Sequence, residues 1–186
     1  MKDFLHEYYK THDLPIQKFN LFGIRDESGI KQDVINDKLG FFTADEVFIC
    51  LGTTDPGVYW TVSKERNKAG TLHLMEGYHD CIWTFGKHKG YDALVNDYKH
   101  CKPTRGWRDA NYNFVRDVKD IVVCDYYGAN FHRMHGNIIV KLIGKYSGAC
   151  QAVQKPDDFT YILQQARQSG ESVFSYMLFR ADEVLA

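Results

Sequence analysis

Cys150 stands at the end of a short turn of small and polar residues, since residues 144–150 read Gly-Lys-Tyr-Ser-Gly-Ala-Cys. A glycine-containing turn of this kind can present a thiol to a substrate. His132 lies 18 positions earlier, and a histidine within hydrogen-bonding reach can take the thiol proton to leave a nucleophilic thiolate. The other four cysteines have apolar or aromatic neighbours, which is typical of small core residues. The sequence therefore predicts Cys150 as a nucleophile and His132 as its general base.

His135 competes with His132 for the role of base, because it follows only three positions later. Side chains alternate between the two faces of a strand, so only one of these histidines can face Cys150 from the same strand. His135 adjoins Gly136 at an expected turn, and this position favours an exposed loop histidine. We therefore prefer His132 as the base.

The residues around the cysteine and the base have further possible roles. Ser147 can brace the turn or bind substrate, or it can be a simple turn residue. The main-chain N–H groups of Gly148, Ala149 and Cys150 are candidate oxyanion donors. Arg133 directly follows the base, and its guanidinium suits a substrate carboxylate, which it can bind by two parallel hydrogen bonds. An exposed strand charge is the alternative for Arg133.

The spacing of these residues resembles the motif of the L,D-transpeptidase family of peptidoglycan enzymes. That motif has a histidine, a gap of about this length, and then Ser-x-Gly-Cys, which His132, Ser147 and Cys150 match. Ala149 stands where the family has glycine, and Ala152 stands where a polar residue usually follows. The alanine at position 149 affects the oxyanion site if the family glycine has a positive φ.

Three further segments resemble a divergent branch of that family, which is common in bacteriophages and in Bacteroides-type genomes. They are Asn-Leu-Phe-Gly-Ile-Arg at 20–25, Thr-Thr-Asp-Pro-Gly at 53–57 and Gly-Lys-His-Lys-Gly-Tyr-Asp-Ala-Leu at 86–94. The similarity spans about residues 18–180. His88 and Tyr91 lie in the last segment and, with Arg133 and His135, are the candidate substrate-binding residues.

The resemblance implies an enzyme that cleaves or transfers an amide of the peptidoglycan stem peptide. Cys150 would form a thioester and pass the acyl group to water or to an amine, and we favour hydrolysis of a host wall. No cofactor is expected, and the remaining histidines lack a metal-ligand spacing. Two other functions stay open. One is a non-catalytic virion or mobile-element structural protein that retains the fold, which Ala149 and Ala152 favour. The other is a cytoplasmic cysteine hydrolase or acyltransferase that acts on a non-wall amide.

Composition excludes several classes of protein. The 186 residues carry a formal net charge of −1, so the sequence lacks the basic surplus that is typical of nucleic-acid-binding proteins. No apolar run is long enough to span a membrane. The N-terminus has no apolar segment of the kind that a secretory signal contains. We therefore expect synthesis in the cytoplasm and access to the wall from a virion, by injection or on lysis. The five cysteines include no Cys-x-x-Cys pair and are expected to be free thiols.

Short strands with frequent turns predict a mainly β domain of the α+β class with one late helix. The resemblance implies a single L,D-transpeptidase-like β-sandwich or barrel over residues 18–186, after an N-terminal arm or helix at 1–17. The spacing of Phe159, Ile162, Leu163 and Ala166 predicts the late helix at 157–169, which Gly170 can end. We also expect a strand at 58–62, a short helix at 90–99, and a hairpin formed by 130–134 and 137–143.

Overall fold

The computed structural model describes residues 1–184 and shows a mainly β protein of the α+β class. Within those residues eleven strands form two sheets, accompanied by four short helices and a 3₁₀ segment at Glu27–Gln32. The strands are β1 Asn20–Arg25, β2 Asp37–Phe42, β3 Val47–Thr53, β4 Thr71–Leu74, β5 Gly77–His88, β6 Tyr91–Val95, β7 Thr104–Asp109, β8 Ile121–Asp125, β9 Phe131–Arg133, β10 Gln151–Val153 and β11 Val173–Arg180. The helices are α1 Lys2–Thr11, α2 Tyr59–Val62, α3 Pro156–Gln168 and α4 Ala181–Val184. Positions 185 and 186 of the expected 18–186 domain lie outside the described residues.

Eight of the described strands close into a barrel in the order β1-β11-β5-β6-β9-β10-β3-β2, and β4, β7 and β8 form a separate sheet. Two neighbouring pairs in the barrel are parallel, β1 with β11 and β9 with β10. A parallel pair needs a crossover connection. Between β9 and β10 the crossover consists of residues 134–150, and it delivers Cys150 to the start of β10, beside the start of β9.

The barrel interior is filled by apolar side chains, and α3 packs against them. Trp83, Phe131 and Tyr176 are fully buried and belong to the same cluster as the apolar face of α3. That face consists of the buried residues Phe159, Ile162, Leu163 and Ala166, as their spacing predicts. Pro156 suits the first helical position, where its missing N–H needs no partner. Gly170 follows the helix with a φ of +75°, a conformation typical of helix ends.

The N-terminal segment 1–17 contains α1, which packs on the outer face of β1, β2 and β11. Leu5 and Tyr9 are buried, and they form a second apolar cluster with Phe22, Phe42 and Phe179. This segment is therefore packed against the barrel. None of the helices within residues 1–184 combines the length and the apolarity that a bilayer crossing requires.

The described chain contains helices beyond the late helix and the N-terminal arm or helix that the sequence predicts. The late helix is α3, and α1 is one of the two alternatives expected for residues 1–17, whereas α2 and α4 were not expected. In the segment 58–62, expected as a strand, residues 59–62 form α2. Short apolar runs do not distinguish a strand from a helical turn, so only the tertiary contacts decide between them.

Two further local expectations are also wrong. Residues 91–95 of the segment 90–99, expected as a helix, form strand β6, because Lys89 and Gly90 both have positive φ, at 48° and 89°, and form the two-residue turn of a β5–β6 hairpin. In the expected 130–143 hairpin only β9 is a strand. Its second arm lies in the crossover, where Val140 and Ile143 are buried with Ala152.

Candidate active site

The parallel pairing of β9 and β10 places Cys150 and His132 on neighbouring segments of the barrel. Ala152 is the partner of His132 in this register, and the Gln151 N–H donates to the Asn130 carbonyl at 2.9 Å. Side chains alternate between the faces of a strand, so Cys150, two positions before Ala152, lies on the same face as His132. The two residues therefore occupy diagonal positions on the same face of adjacent segments.

His132 is held as a buried and neutral base. The residue is 2% exposed, and its Nδ1 lies 2.7 Å from the Arg133 carbonyl oxygen and 3.1 Å from the Tyr91 hydroxyl. A carbonyl group only accepts, so Nδ1 carries the ring proton. Nε2 has no hydrogen-bond partner among residues 1–184. Burial, aided by the neighbouring His88, lowers the pKa of His132 to about 3. The ring is therefore neutral at neutral pH with a free Nε2 lone pair, and the lowered pKa makes this nitrogen a weaker proton acceptor than an ordinary histidine.

The β5–β6 hairpin supplies the two side chains that hold the His132 ring. His88 stacks on it with the ring centroids 4.1 Å apart and the planes 8° from parallel. The Asn130 side-chain amide donates to His88 Nδ1 at 3.1 Å. The Tyr91 hydroxyl donates to the Arg133 carbonyl at 3.0 Å, next to the bond from His132. Burial also lowers the pKa of His88, so the stacked rings do not repel each other as two cations at neutral pH.

Cys150 is half-buried, and its thiol is directed at the Gly128 carbonyl oxygen, 3.6 Å from Sγ. Burial raises the pKa of Cys150, while the main-chain N–H groups of Asn130 and Gly148 act in the opposite direction. The resting group is therefore a thiol at neutral pH. No hydrogen bond joins it to His132 in the described part of the chain.

The turn before Cys150 is strained at one position. Ala149 has a φ of +137°, a conformation that favours glycine. Ser147 is fully buried and braces the turn, since its hydroxyl donates to the Cys150 carbonyl at 2.8 Å and accepts the Ala149 N–H at 3.4 Å. Gly148 is exposed. The alanine that departs from the family motif thus occupies a position whose backbone suits glycine.

The Thr-Thr-Asp-Pro-Gly segment supports the same turn. The Gly57 N–H donates to the Ser147 carbonyl at 2.9 Å, and a Cβ at Gly57 would lie only 1.9 Å from the Gly144 carbonyl oxygen. Asp55 is buried and forms an ion pair with Arg25 at 3.0 Å. The sequence indicates only a turn here, whereas the structure shows that the segment carries a buried ion pair at Asp55 and contacts the cysteine turn through Gly57.

A cavity of about 390 Å³ adjoins the turn at Gly148, which is within the size range of small-ligand pockets. Its walls include Trp60, Tyr127 and two residues of opposite charge, Glu65 and Arg108. The Trp60 indole N–H is buried without an acceptor among the described residues, and the Arg108 guanidinium lies 5.3 Å from the Tyr127 ring centroid. No sequence motif marks these residues, because they converge only where the small sheet packs beside the barrel.

The other candidate substrate-binding residues lie away from this cavity. The Arg133 guanidinium lies 4.6 Å from the Tyr91 ring centroid, in a separate hollow bordered by α3. His135 lies in the crossover, where its Nδ1 accepts the Asn137 N–H at 3.1 Å. Neither Arg133 nor His135 lines the cavity next to Gly148.

Within residues 1–184 no group of three or more histidine, cysteine, aspartate or glutamate side chains is arranged to hold a metal ion. No protein-family model, curated protein or solved structure matches this chain. The chemistry of the site is therefore inferred from its own geometry and from the motif in the sequence.

Proposed function

We propose that this chain is a cysteine enzyme that cleaves or transfers an amide of the peptidoglycan stem peptide, with an L,D-transpeptidase-like fold. The observation that carries the catalytic part is the unpartnered Nε2 of His132. A buried polar atom normally has a hydrogen-bond partner, and an exception calls for a reason. Proton transfer from Cys150 on the same face supplies that reason. The substrate class rests on the sequence motif and its resemblance.

In the proposed reaction the Cys150 side chain turns from the Gly128 carbonyl toward His132. Nε2 takes the thiol proton, and the thiolate attacks the amide carbonyl carbon. The negative oxygen of the tetrahedral intermediate accepts hydrogen bonds from main-chain N–H groups of the turn. As the C–N bond breaks, the His132 imidazolium donates its proton to the leaving amine, and the acyl group remains on sulfur as a thioester.

Water or a second amine then resolves the thioester, which gives hydrolysis or transpeptidation. We favour hydrolysis of a host wall, with delivery from a virion or on lysis, because the sequence resembles a phage-associated branch. This part of the proposal rests on the resemblance alone.

Digestion of purified peptidoglycan, followed by mass spectrometry of the released peptides, tests the proposal. We expect new muropeptides with the wild-type protein and none with Cys150→Ser, because a histidine that can deprotonate a thiol seldom activates the less acidic hydroxyl. Cys124→Ser is the matched control, since Cys124 is an exposed free thiol on β8. Unchanged muropeptides with the wild-type protein across several wall chemotypes would overturn the proposal.

A non-catalytic structural protein is the second candidate, and one observation favours it. The Cys150 thiol donates a hydrogen bond to the Gly128 carbonyl, and burial raises the pKa of the thiol. Both features are typical of an inert buried cysteine. A structural protein should be present in many copies in purified particles, and Cys150→Ser should leave those particles intact and infectious. Loss of wall digestion in the same variant would exclude a purely structural role.

A further inference from the structure

The residue that follows the nucleophile, Gln151, points away from Cys150 and into the barrel. It is fully buried and pairs across the strands with Phe131 of the interior core. The residue before the nucleophile, Ala149, has the φ of +137° that ordinary residues rarely adopt. Such a conformation persists only where surrounding contacts hold it. Gln151 makes one of these contacts, because its Nε2 donates to the Ala149 carbonyl oxygen at 3.4 Å.

Polar groups of the barrel interior hold Gln151 in turn. The Tyr176 hydroxyl donates to Gln151 Oε1 at 2.6 Å, and Gln151 Nε2 also donates to the Thr54 carbonyl at 3.3 Å. Tyr176 reaches this position because residue 23 is glycine, where a Cβ would lie 1.9 Å from the hydroxyl oxygen. The Thr54 carbonyl accepts a second bond from Arg25 Nη2 at 2.9 Å.

An ionic cluster fixes Thr54 and Arg25. The Asp37 carboxylate accepts the Thr54 N–H at 2.6 Å and the Thr54 hydroxyl at 2.9 Å, and Arg25 pairs with Asp55 at 3.0 Å. These four residues are each 3% exposed or less. Buried polar groups hold their geometry because an unmade bond between them is costly. A continuous chain of buried polar contacts therefore runs from the ion pair to the Ala149 carbonyl.

This series of buried polar contacts sets the direction of one main-chain N–H group on the other side of the strand. The peptide unit between Ala149 and Cys150 is planar and trans, so its C=O and N–H point in opposite directions. With the Ala149 carbonyl held toward the interior, the Cys150 N–H points outward. That N–H donates to no acceptor within residues 1–184.

We propose that Gln151 is a positioning residue, which holds the Ala149 carbonyl and thereby aims the Cys150 N–H at the oxygen of the tetrahedral intermediate. The inference rests on the proposed function, because this N–H has such a task only when Cys150 is acylated. Gln151 itself does not touch the substrate. Its contribution is to transition-state stabilisation and leaves the formation of the thiolate unchanged.

Two reactions of Cys150 separate this role from a general effect on the thiol. With p-nitrophenyl acetate, the sulfur attacks the ester carbonyl, a C–S bond forms, the C–O bond breaks and nitrophenolate leaves, while His132 holds the thiol proton. This acylation passes through an oxyanion. Alkylation by iodoacetamide displaces iodide at a saturated carbon and forms no oxyanion. Both rates are measured in a Cys124→Ser background, with mass mapping of the modified residue.

Gln151→Met keeps the side-chain length and removes the hydrogen bonds. We expect its acylation rate to fall about 10- to 100-fold, which is less than the loss of a whole oxyanion donor, with an unchanged alkylation rate. Tyr176→Phe should lower the acylation rate about 2- to 10-fold in the same selective way, because only one supporting bond is lost. Gln154→Met is the matched control, whose amide donates at 2.8 Å to the Val140 carbonyl, and it should change neither rate.

Equal loss of acylation and alkylation, or no loss of either, would overturn the positioning role. If Gln151→Met does not fold, Tyr176→Phe decides the question alone. The probe needs no wall substrate, so the two proposals fail separately. A selective loss of acylation in a protein that leaves peptidoglycan intact would support the positioning role and reject the proposed substrate.

Discussion

Replacing Ala149 by glycine should relieve the strain in the cysteine turn. A non-glycine residue in a sparsely populated backbone region costs about 1–3 kcal/mol, and Ala149 has a φ of +137°. Glycine opposes this gain through its larger freedom in the unfolded chain, about 0.4–1 kcal/mol. Loss of the methyl group, on a residue that is 3% exposed, costs about 0.8 kcal/mol more. The net change in unfolding free energy therefore lies between about −1 and +2 kcal/mol.

Ala129→Gly is the matched control for this prediction. Ala129 is 2% exposed and belongs to the same apolar cluster as Ala149, but its φ is not positive. It bears the entropy and methyl costs without any relief of strain, so we expect a loss of about 1.2–1.8 kcal/mol. The difference between the two variants isolates the strain, which should be about 1–3 kcal/mol.

Urea unfolding followed by tryptophan fluorescence under reducing conditions measures both free energies. In a thermal scan, each kcal/mol corresponds to about 2–4 °C in Tm for a chain of this size. If Ala149→Gly loses as much stability as Ala129→Gly, position 149 carries no strain and the argument from its φ is refuted.

Three other variants test the surroundings of the site. In the folded protein the pKa of His132 is about 3, whereas in the unfolded chain it is near the usual value of about 6.5. Because the unfolded chain therefore binds a proton as the pH falls, the unfolding free energy of the wild type should drop by about 2 kcal/mol more than that of His132→Gln between pH 7 and pH 5. Equal drops in urea titrations of the two proteins would contradict this. Tyr91→Phe removes the hydroxyl beside His132 Nδ1. It should raise the activation free energy by about 0.5–1.5 kcal/mol, which lowers kcat, and leave KM unchanged. A change in KM alone would indicate that Tyr91 contacts the substrate. Asp55→Asn removes one partner of the buried Arg25, which keeps its ion pair with Glu76, and should cost about 1–3 kcal/mol of stability, whereas the exposed Asp92→Asn should cost much less.

The mainly β class and helix α3 could be predicted because their signals are local. Apolar spacing along 157–169 identifies the buried face of α3 without reference to the rest of the chain. The prediction of a second hairpin strand at 137–143 is wrong because the apolar residues of this segment pack in a crossover. No local sequence pattern distinguishes a strand from such a segment. The sequence pattern predicts a helix at 90–99, but the left-handed turn at Lys89 and Gly90 makes residues 91–95 a hairpin strand.

The sequence by itself determined which groups can do chemistry here, since the identities of Cys150 and His132 and their spacing are properties of the chain. Only the tertiary structure decided their state. The neutral state of the His132 ring is due to burial and to the neighbouring His88. The hydrogen bond from Gln151 to Thr54 joins residues that are 97 positions apart in the sequence. Burial and long-range contacts set protonation, strain and orientation, and these exist only once distant segments have packed together.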